Sequence, residues 1–134
     1  MNKIYFAHPI NTYNTELEKH CINLIEKKFP DCIIINPNSE DRIKLFVEYK
    51  QNNPDTYMDF FTTIVKECTH LVLLPFRDGM IGAGIWLEAH ALQDINNIFE
   101  INPFKTNIRF IELAEIDFMK LSIEETRRRI QREY

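Results

Sequence analysis

Short apolar runs alternate along this chain with longer stretches in which apolar residues recur every three or four positions. The runs predict strands, and the periodic stretches predict amphipathic helices. The predicted strands are Lys3–Ala7, Asp31–Ile35, Leu71–Leu74 and Asn97–Ile101, with Ile108–Leu113 as a candidate fifth. The predicted helices are Thr15–Phe29, Ser39–Tyr49, Thr56–Cys68, Ile85–Gln93 and Ile123 to about Arg132.

The alternation of strands and helices predicts the fold class. We expect an α/β fold with an open, mostly parallel sheet of four to five strands flanked by helices, a Rossmann-like or flavodoxin-like three-layer sandwich. The second strand contains the continuous apolar run Cys-Ile-Ile-Ile, which is typical of a strand covered on both faces. The chain has no repeat or linker, so a single domain over residues 1–134 is expected.

Local signals indicate where several helices begin and end. Pro30 ends the first helix, and Ser39 or Asp41 is expected to cap the second. Ser122 followed by Glu125 has the spacing of a capping box. The residues predicted on the buried side of the third helix are Tyr57, Phe60, Phe61, Ile64 and Val65, and the loop before this helix is predicted at Gln51–Asp55.

Charge and composition exclude some classes of partner. The net charge of -4 provides no basic field for a nucleic-acid polymer, and the cluster Arg127–Arg129 with Arg132 is interpreted as a solvated helix face. No apolar run has the length of a membrane span, so no membrane partner is expected. Three cysteines without a CxxC pair, and no apolar leader after Met1, predict reduced thiols in the cytoplasm.

The predicted sheet directs attention to one edge. In open α/β sheets, ligands bind beyond the carboxyl ends of the strands. Three segments leave predicted strands there: His8–Asn11, Asn36–Asn38 and Pro75–Gly84. We therefore expect them to converge on one small-molecule site.

All three glycines of the chain, Gly79, Gly82 and Gly84, lie in the third of these segments. Glycine lets a ligand approach the backbone closely, and the following helix start offers free N–H groups to anions or sugar oxygens. The spacing is neither that of a dinucleotide fingerprint nor that of a P-loop. Nucleotide phosphate binding by either of these routes is therefore not expected.

Two carboxylates flank this glycine loop. Asp78 precedes it, and Glu88 lies about one turn into the following helix, in a largely apolar stretch. A buried carboxylate needs a functional or structural reason, because burying an unpaired charge costs several kcal/mol. The alternative is that Glu88 lies on the solvent face near His90 and Asp94.

In four places the chain resembles the nucleoside 2-deoxyribosyltransferases and their small relatives. The strand Lys3–Ala7 places Tyr5 on the position of the family's first-strand tyrosine, and His8-Pro9 is similar to its Gly-Pro. Asn36-Pro37 stands where the second strand ends. Leu71–Pro75, Asp78, the glycines and Glu88 match the family's strand, acid, Gly-x-Gly and catalytic glutamate.

The chain departs from the family pattern at two positions. Glu88 follows the last glycine by two residues more than in the transferases, which changes the register of its side chain. Thr69 stands where relatives have an aspartate before the third strand, and Asp59 on the preceding helix is a candidate substitute.

The resemblance implies cleavage or transfer at the N-glycosidic bond of a nucleoside or nucleotide. It assigns Glu88 as nucleophile, Asp78 as acid/base or base-positioning group, and Tyr5 as the hydrogen-bond donor to Glu88. The backbone at Gly82 and Gly84 would receive the sugar or a 5′-phosphate. The other substrate-binding candidates are His8, Pro9, Asn36, Asp59, Phe76 and Gly79. The resemblance implies neither a metal nor an organic cofactor, and it implies a homo-oligomer.

Two alternatives remain open on the residues alone. The same site could belong to a non-catalytic nucleotide-binding module, in which Glu88 only hydrogen-bonds a ribose hydroxyl. The glycine loop could also be a tight turn in a plain interaction domain. His8 could contact substrate, or it could be a capped or solvent-exposed histidine. Phe76 and Trp86 could stack on a base, although Trp86 is more typical of core packing.

Overall fold

The computed structural model describes residues 2–56 and 59–132, so Tyr57, which was predicted on a buried helix face, lies outside the described residues. Five strands form one sheet: β1 (Asn2–Ala7), β2 (Cys32–Ile35), β3 (His70–Leu73), β4 (Ile98–Asn102) and β5 (Asn107–Phe110). Their order across the sheet is β2-β1-β3-β4-β5. The first four strands are parallel and β5 is antiparallel to β4.

Helices flank this sheet, and the predicted α/β three-layer fold is confirmed. The described helices are α1 (Glu16–Lys28), α2 (Glu40–Asn52), α3 (Asp59–Lys66), α4 (Ala83–Ala91), α5 (Leu113–Met119) and α6 (Ile123–Ile130). Two short 3₁₀ turns lie at Ile10–Thr12 and Ile95–Asn97. The strand order is the flavodoxin-like one. Within the described ranges, no helix is long and apolar enough to cross a bilayer.

Alternating side chains of the central strands build a core on each face of the sheet. Ile4 and Phe6 of β1 pack with Cys21 and Ile25 of α1 on one face. Tyr5 lies on the other face, in the core that includes residues of α3, α4 and α5. Successive side chains of a strand point to opposite faces, so burial on both explains the apolar runs of β1 and β3. The expectation that the second strand is covered on both faces is wrong, because β2 is an edge strand and Ile33 is exposed.

Side-chain caps set the starts of three helices. The Thr15 hydroxyl accepts a hydrogen bond from the Glu18 amide at the start of α1. Ser39 caps α2, which decides between the two candidates for that cap. Ser122 accepts from the Glu125 amide at the start of α6, as the capping-box spacing predicts.

The end of the sheet differs from the sequence prediction. The candidate strand Ile108–Leu113 is present as β5, but β5 ends at Phe110, and Leu113 begins α5, a helix that was not predicted. Only residues 103–106 connect β4 to β5, and this is too short for a parallel crossover. The connection therefore forms a hairpin, with Thr106 at a positive φ of 53°.

Helix ends also differ from the predictions by a few residues. Helix α4 begins at Ala83 rather than Ile85, so Gly84 lies in its first turn. Helix α2 continues to Asn52 and takes the first part of the loop predicted at Gln51–Asp55. Thr56, where the third helix was predicted to begin, lies in a turn, and the described part of α3 starts at Asp59.

Candidate functional site

The carboxyl ends of β1 and β3 are neighbours at the centre of the sheet, where the strand order reverses. This is the point at which doubly wound sheets bind ligands. A half-open cavity of about 290 Å³ lies there, and we call it the rim cavity. Its volume is at the small end of ligand pockets, which begin at roughly 300 Å³. Glu88 and Tyr5 both line it.

Glu88 is held in the rim cavity by Tyr5. The Tyr5 side chain is fully buried on β1, and its hydroxyl donates a hydrogen bond to Oε2 of Glu88 on α4. These two residues are 83 positions apart in sequence and meet because α4 packs on the face of β1 that carries Tyr5. Glu88 therefore does not lie on the solvent face with His90, whose ring contacts Asp117 instead.

Burial controls the protonation of this pair. Burial raises the pKa of Glu88 from 4.5 to about 7, and the hydrogen bond from Tyr5 opposes the rise. Burial and the neighbouring Glu88 charge raise the pKa of Tyr5 far above its usual value, so Tyr5 remains a donor at neutral pH. Carboxyl groups with pKa values shifted towards 7 in a cleft are typical of functional sites.

The walls of the rim cavity are mostly apolar and aromatic. Besides Tyr5 and His8, four aromatic rings line it: Tyr13 after the first 3₁₀ turn, Phe46 of α2, Phe61 of α3, and Phe76 after β3. Phe46 and Phe61 also pack on each other, with ring centroids 4.9 Å apart. Such walls provide stacking surfaces for a planar ring, with Glu88 as an anionic group among them.

Glycine is required or favoured for a different structural reason at each of the three positions. Gly79 has a φ of 86°, which closes the turn after Phe76. Gly82 is the N-cap of α4, where a Cβ would lie 3.2 Å from Cγ2 of Thr126, and the Thr126 hydroxyl accepts from the Ala83 amide. Gly84 has open space at its Cβ position and lines the rim cavity, so ligand atoms could approach its backbone.

His8 lines the cavity, but its ring is fully engaged. Its Nδ1 lies 2.9 Å from the Phe6 carbonyl oxygen, and its Nε2 lies 2.7 Å from Oε2 of Glu18. The ring also stacks on Phe6 at a centroid distance of 3.9 Å. Burial lowers the pKa of His8, while the contacts with Glu18 and the Phe6 carbonyl oppose that effect. His8 is thus a buried structural histidine in the cavity wall.

The structure brings together most of the site residues predicted from the sequence. Seven of them line the rim cavity: Tyr5, His8, Pro9, Phe76, Gly82, Gly84 and Glu88. The other four, Asn36, Asp59, Asp78 and Gly79, are not among its lining residues. Asn36 shapes a turn by accepting a hydrogen bond from the Asn38 amide. Gly79 lines a separate, smaller cleft beside β4.

Asp78 turns away from the rim cavity. Its carboxylate accepts a hydrogen bond from Nη1 of Arg129 on α6 at 2.8 Å and caps the turn at Met80. The Arg129 hydrogen bond lowers the pKa of Asp78, so Asp78 is a poor proton donor. Its side chain is half exposed. The acid/base role that the resemblance implied for Asp78 has no support in this geometry.

The position of Thr69 is also away from the site. Thr69 precedes β3, and its hydroxyl exchanges hydrogen bonds with the backbone of Lys3 at the amino end of β1. The rim cavity lies at the opposite, carboxyl end of these strands. An acid in place of Thr69 would therefore not reach Glu88. Asp59, the candidate substitute, is exposed in the first turn of α3.

We expect Asp78→Asn to leave unchanged the rate of any reaction that depends on Glu88. Asp78 does not line the rim cavity, and its ion pair with Arg129 is partly exposed. Loss of such a pair lowers the free energy of unfolding by roughly 1 kcal/mol or less. Steady-state rates and urea unfolding of the variant measure both effects. A large loss of turnover in a folded variant would instead indicate that Asp78 takes part in catalysis.

Sequence reasoning missed several residues of the cavity wall. Tyr13, Phe46 and Thr126 line it from three different parts of the chain, together with Phe61 and Ile130, which were read only as helix residues. Tyr13 lies two residues after the segment His8–Asn11, which was predicted at this edge of the sheet. Thr126 and Ile130 belong to α6, and no local sequence pattern predicts where α6 packs. Trp86 lies outside the cavity, where its Nε1 donates to Asp117 and Lys120 lies over its ring.

Within the described ranges, no group of three or more His, Cys, Asp or Glu side chains is arranged to hold a metal ion. No protein-family model matches the chain, and no curated protein or solved structure is a match to it. The function therefore has to be argued from the geometry of the rim cavity.

Proposed function

We propose that this protein cleaves or transfers the N-glycosidic bond of a nucleoside, with Glu88 as the nucleophile. The observation that carries the proposal is the Glu88 carboxylate, which the Tyr5 hydroxyl holds in an otherwise mostly apolar cavity at the strand switch point. A carboxylate in such a place is costly unless it has a partner or a use. Tyr5 is its hydrogen-bond partner, and no described cation forms a salt bridge with it.

An anion of this kind suits the chemistry of a glycosidic carbon. As the C1′–N bond breaks, its electron pair leaves with the base and positive charge develops on the sugar. Ionised Glu88 stabilises that charge and forms a C1′–O bond, giving a glycosyl ester. Water or a second base then attacks C1′ and releases the carboxylate. Hydrolysis and transfer differ only in this acceptor.

The walls of the cavity favour an uncharged nucleoside over a nucleotide. The aromatic rings of Phe46, Phe61 and Phe76 provide faces for a base. No described Lys or Arg lines the cavity, although phosphate groups are usually held by such side chains. Arg129 lies near Phe76, but Asp78 and Glu125 already accept its hydrogen bonds.

The direct test is base release from a panel of deoxynucleosides, ribonucleosides, their 5′-monophosphates and NAD, followed by chromatography. We expect release of free base from a nucleoside, slower release from the matching monophosphate, and loss of release in Glu88→Ala. Glu26→Ala, which changes an exposed glutamate of α1, is the matched control and should retain activity.

The same experiment tests the binding-module alternative. Tight binding of a nucleoside or nucleotide without turnover, weakened by Glu88→Ala, would favour a non-catalytic module that uses the rim cavity. If Glu88→Ala changes neither binding nor turnover, Glu88 is not the centre of the site and both interpretations are wrong.

A further inference from the structure

The proposed reaction needs a proton donor for the departing base, and this inference rests on the proposed function. A nucleobase leaves poorly as an anion, so general acid catalysis at its nitrogen accelerates bond breaking. The titratable side chains that line the rim cavity within the described residues are Tyr5, His8, Tyr13 and Glu88. Among the described residues, a side-chain donor for a substrate bound there must come from this set.

Three of these four side chains already have another hydrogen-bond partner or another role in the reaction. The Tyr5 hydroxyl donates to Glu88, and Glu88 is needed as the ionised nucleophile. Both ring nitrogens of His8 face acceptors, the Phe6 carbonyl and the Glu18 carboxylate. His8 therefore has no free N–H to give to a ligand.

Tyr13 is the remaining side chain. It is partly buried, and its ring packs against His8 with centroids 4.7 Å apart, which fixes its position in the cavity wall. Among the described residues, none forms a hydrogen bond with its hydroxyl, in contrast to Tyr5. A phenol hydroxyl without such a partner in the cavity wall is available to form a hydrogen bond with a ligand.

The Tyr13 phenol carries a proton at neutral pH. Burial, followed by the charges of Glu88 and Glu18, raises the pKa of Tyr13 well above its usual value. The phenol therefore remains protonated across the neutral range. The Glu88 contribution also indicates that the two side chains act on one another across the same cavity.

We propose that Tyr13 is the general acid of the reaction and donates its phenolic proton to the leaving base. As the C1′–N bond breaks, the base nitrogen takes the electron pair of that bond and the proton of Tyr13, while a Glu88 oxygen forms the bond to C1′. The base leaves as a neutral molecule and Tyr13 is left as a phenolate. In the second half, the acceptor water or base loses its proton to Tyr13 as it attacks C1′, and the acid is restored.

The test compares two leaving groups on one sugar in Tyr13→Phe. One substrate is a natural nucleoside, and the other is the p-nitrophenyl glycoside of the same sugar, because p-nitrophenolate leaves without being protonated. We expect kcat for the nucleoside to fall by about 100-fold or more, on the scale of general acid catalysis. The release of p-nitrophenolate should stay unchanged, whereas Glu88→Gln should abolish turnover of both substrates.

Tyr49→Phe is the matched control, because Tyr49 of α2 does not line the rim cavity, and both rates should persist in it. Thermal unfolding of Tyr13→Phe should match that of the unmodified protein, since no described hydrogen bond is removed. If Tyr13→Phe slows the turnover of both substrates equally, or slows neither, Tyr13 is not the acid and the proposed function stands. If the unmodified protein turns over neither substrate, the proposed function and this inference are both wrong.

Discussion

Glu88→Gln is expected to make the protein more stable at pH 8 while removing its activity. In the folded protein, burial raises the pKa of Glu88 from 4.5 to about 7. The folded state therefore binds this proton more tightly than the unfolded state does. Glutamine keeps an oxygen that can accept from the Tyr5 hydroxyl but has no charge to bury, so the cost of ionising a buried group disappears.

The sign and the pH window follow from linkage. Below about pH 4.5 the group is protonated in both states and costs nothing. Between pH 4.5 and about 7 the unfolded state releases the proton first, so the stability of the unmodified protein falls as pH rises. The full loss is about 3.5 kcal/mol, at roughly 1.4 kcal/mol for each pH unit between the two pKa values.

Urea unfolding at pH 5 and pH 8 measures this effect. We expect the difference in free energy of unfolding between Glu88→Gln and the unmodified protein to be small at pH 5 and to reach about 3 kcal/mol at pH 8. Glu26→Gln changes an exposed glutamate of α1 and is the matched control. A variant that is less stable at pH 8 would contradict the expectation that ionised Glu88 lowers the stability of the folded state.

The same variant should lose turnover. Removing a nucleophile from other enzymes lowers kcat by about 10⁴-fold or more. In the unmodified protein, kcat/KM should fall on the acidic side of about pH 7, because the nucleophile must be ionised. A gain in stability together with a loss of activity is the pattern expected of a functional carboxylate, and a structural carboxylate would lose stability.

Glu18→Ala is expected to have the largest destabilising effect of the variants considered. Glu18 is 6% exposed. Its carboxylate accepts from the Asn38 amide group at 3.0 Å and from the Asn14 backbone N–H at 3.2 Å, and it lies 2.7 Å from Nε2 of His8. Alanine leaves all three groups without this partner. Leaving a buried hydrogen-bond donor without a partner costs about 1 to 3 kcal/mol.

Glu16→Ala provides the control for this variant on the same helix. Glu16 is exposed and pairs only with Lys19 among the described residues, so its loss should cost roughly 1 kcal/mol or less. Urea unfolding of both variants at pH 7 measures the difference. Equal stability of the two would mean that the His8–Glu18 contact does not hold the loop after β1 in place.

Much of the fold could be predicted because its signals are local. The apolar runs at β1 and β3 are continuous since both faces of these strands are covered, and Thr15, Ser39 and Ser122 cap the helices that follow them. The antiparallel β5 and α5 could not be predicted, because strand direction depends on pairing with β4 and α5 begins inside an apolar run.

The sequence by itself determined the alternation of strands and helices, and so the edge of the sheet where a ligand would bind. It also singled out Glu88, because a carboxylate in a largely apolar helix needs a reason, and the resemblance to the transferases pointed to Tyr5. Only the tertiary structure decided that the side chains of Glu88 and Tyr5 are in contact. It also decided that Asp78 pairs with Arg129 rather than lining the rim cavity, and that Tyr13 does line it. These contacts join residues distant in sequence, and their geometry depends on how α4 and α6 pack, which no local pattern records.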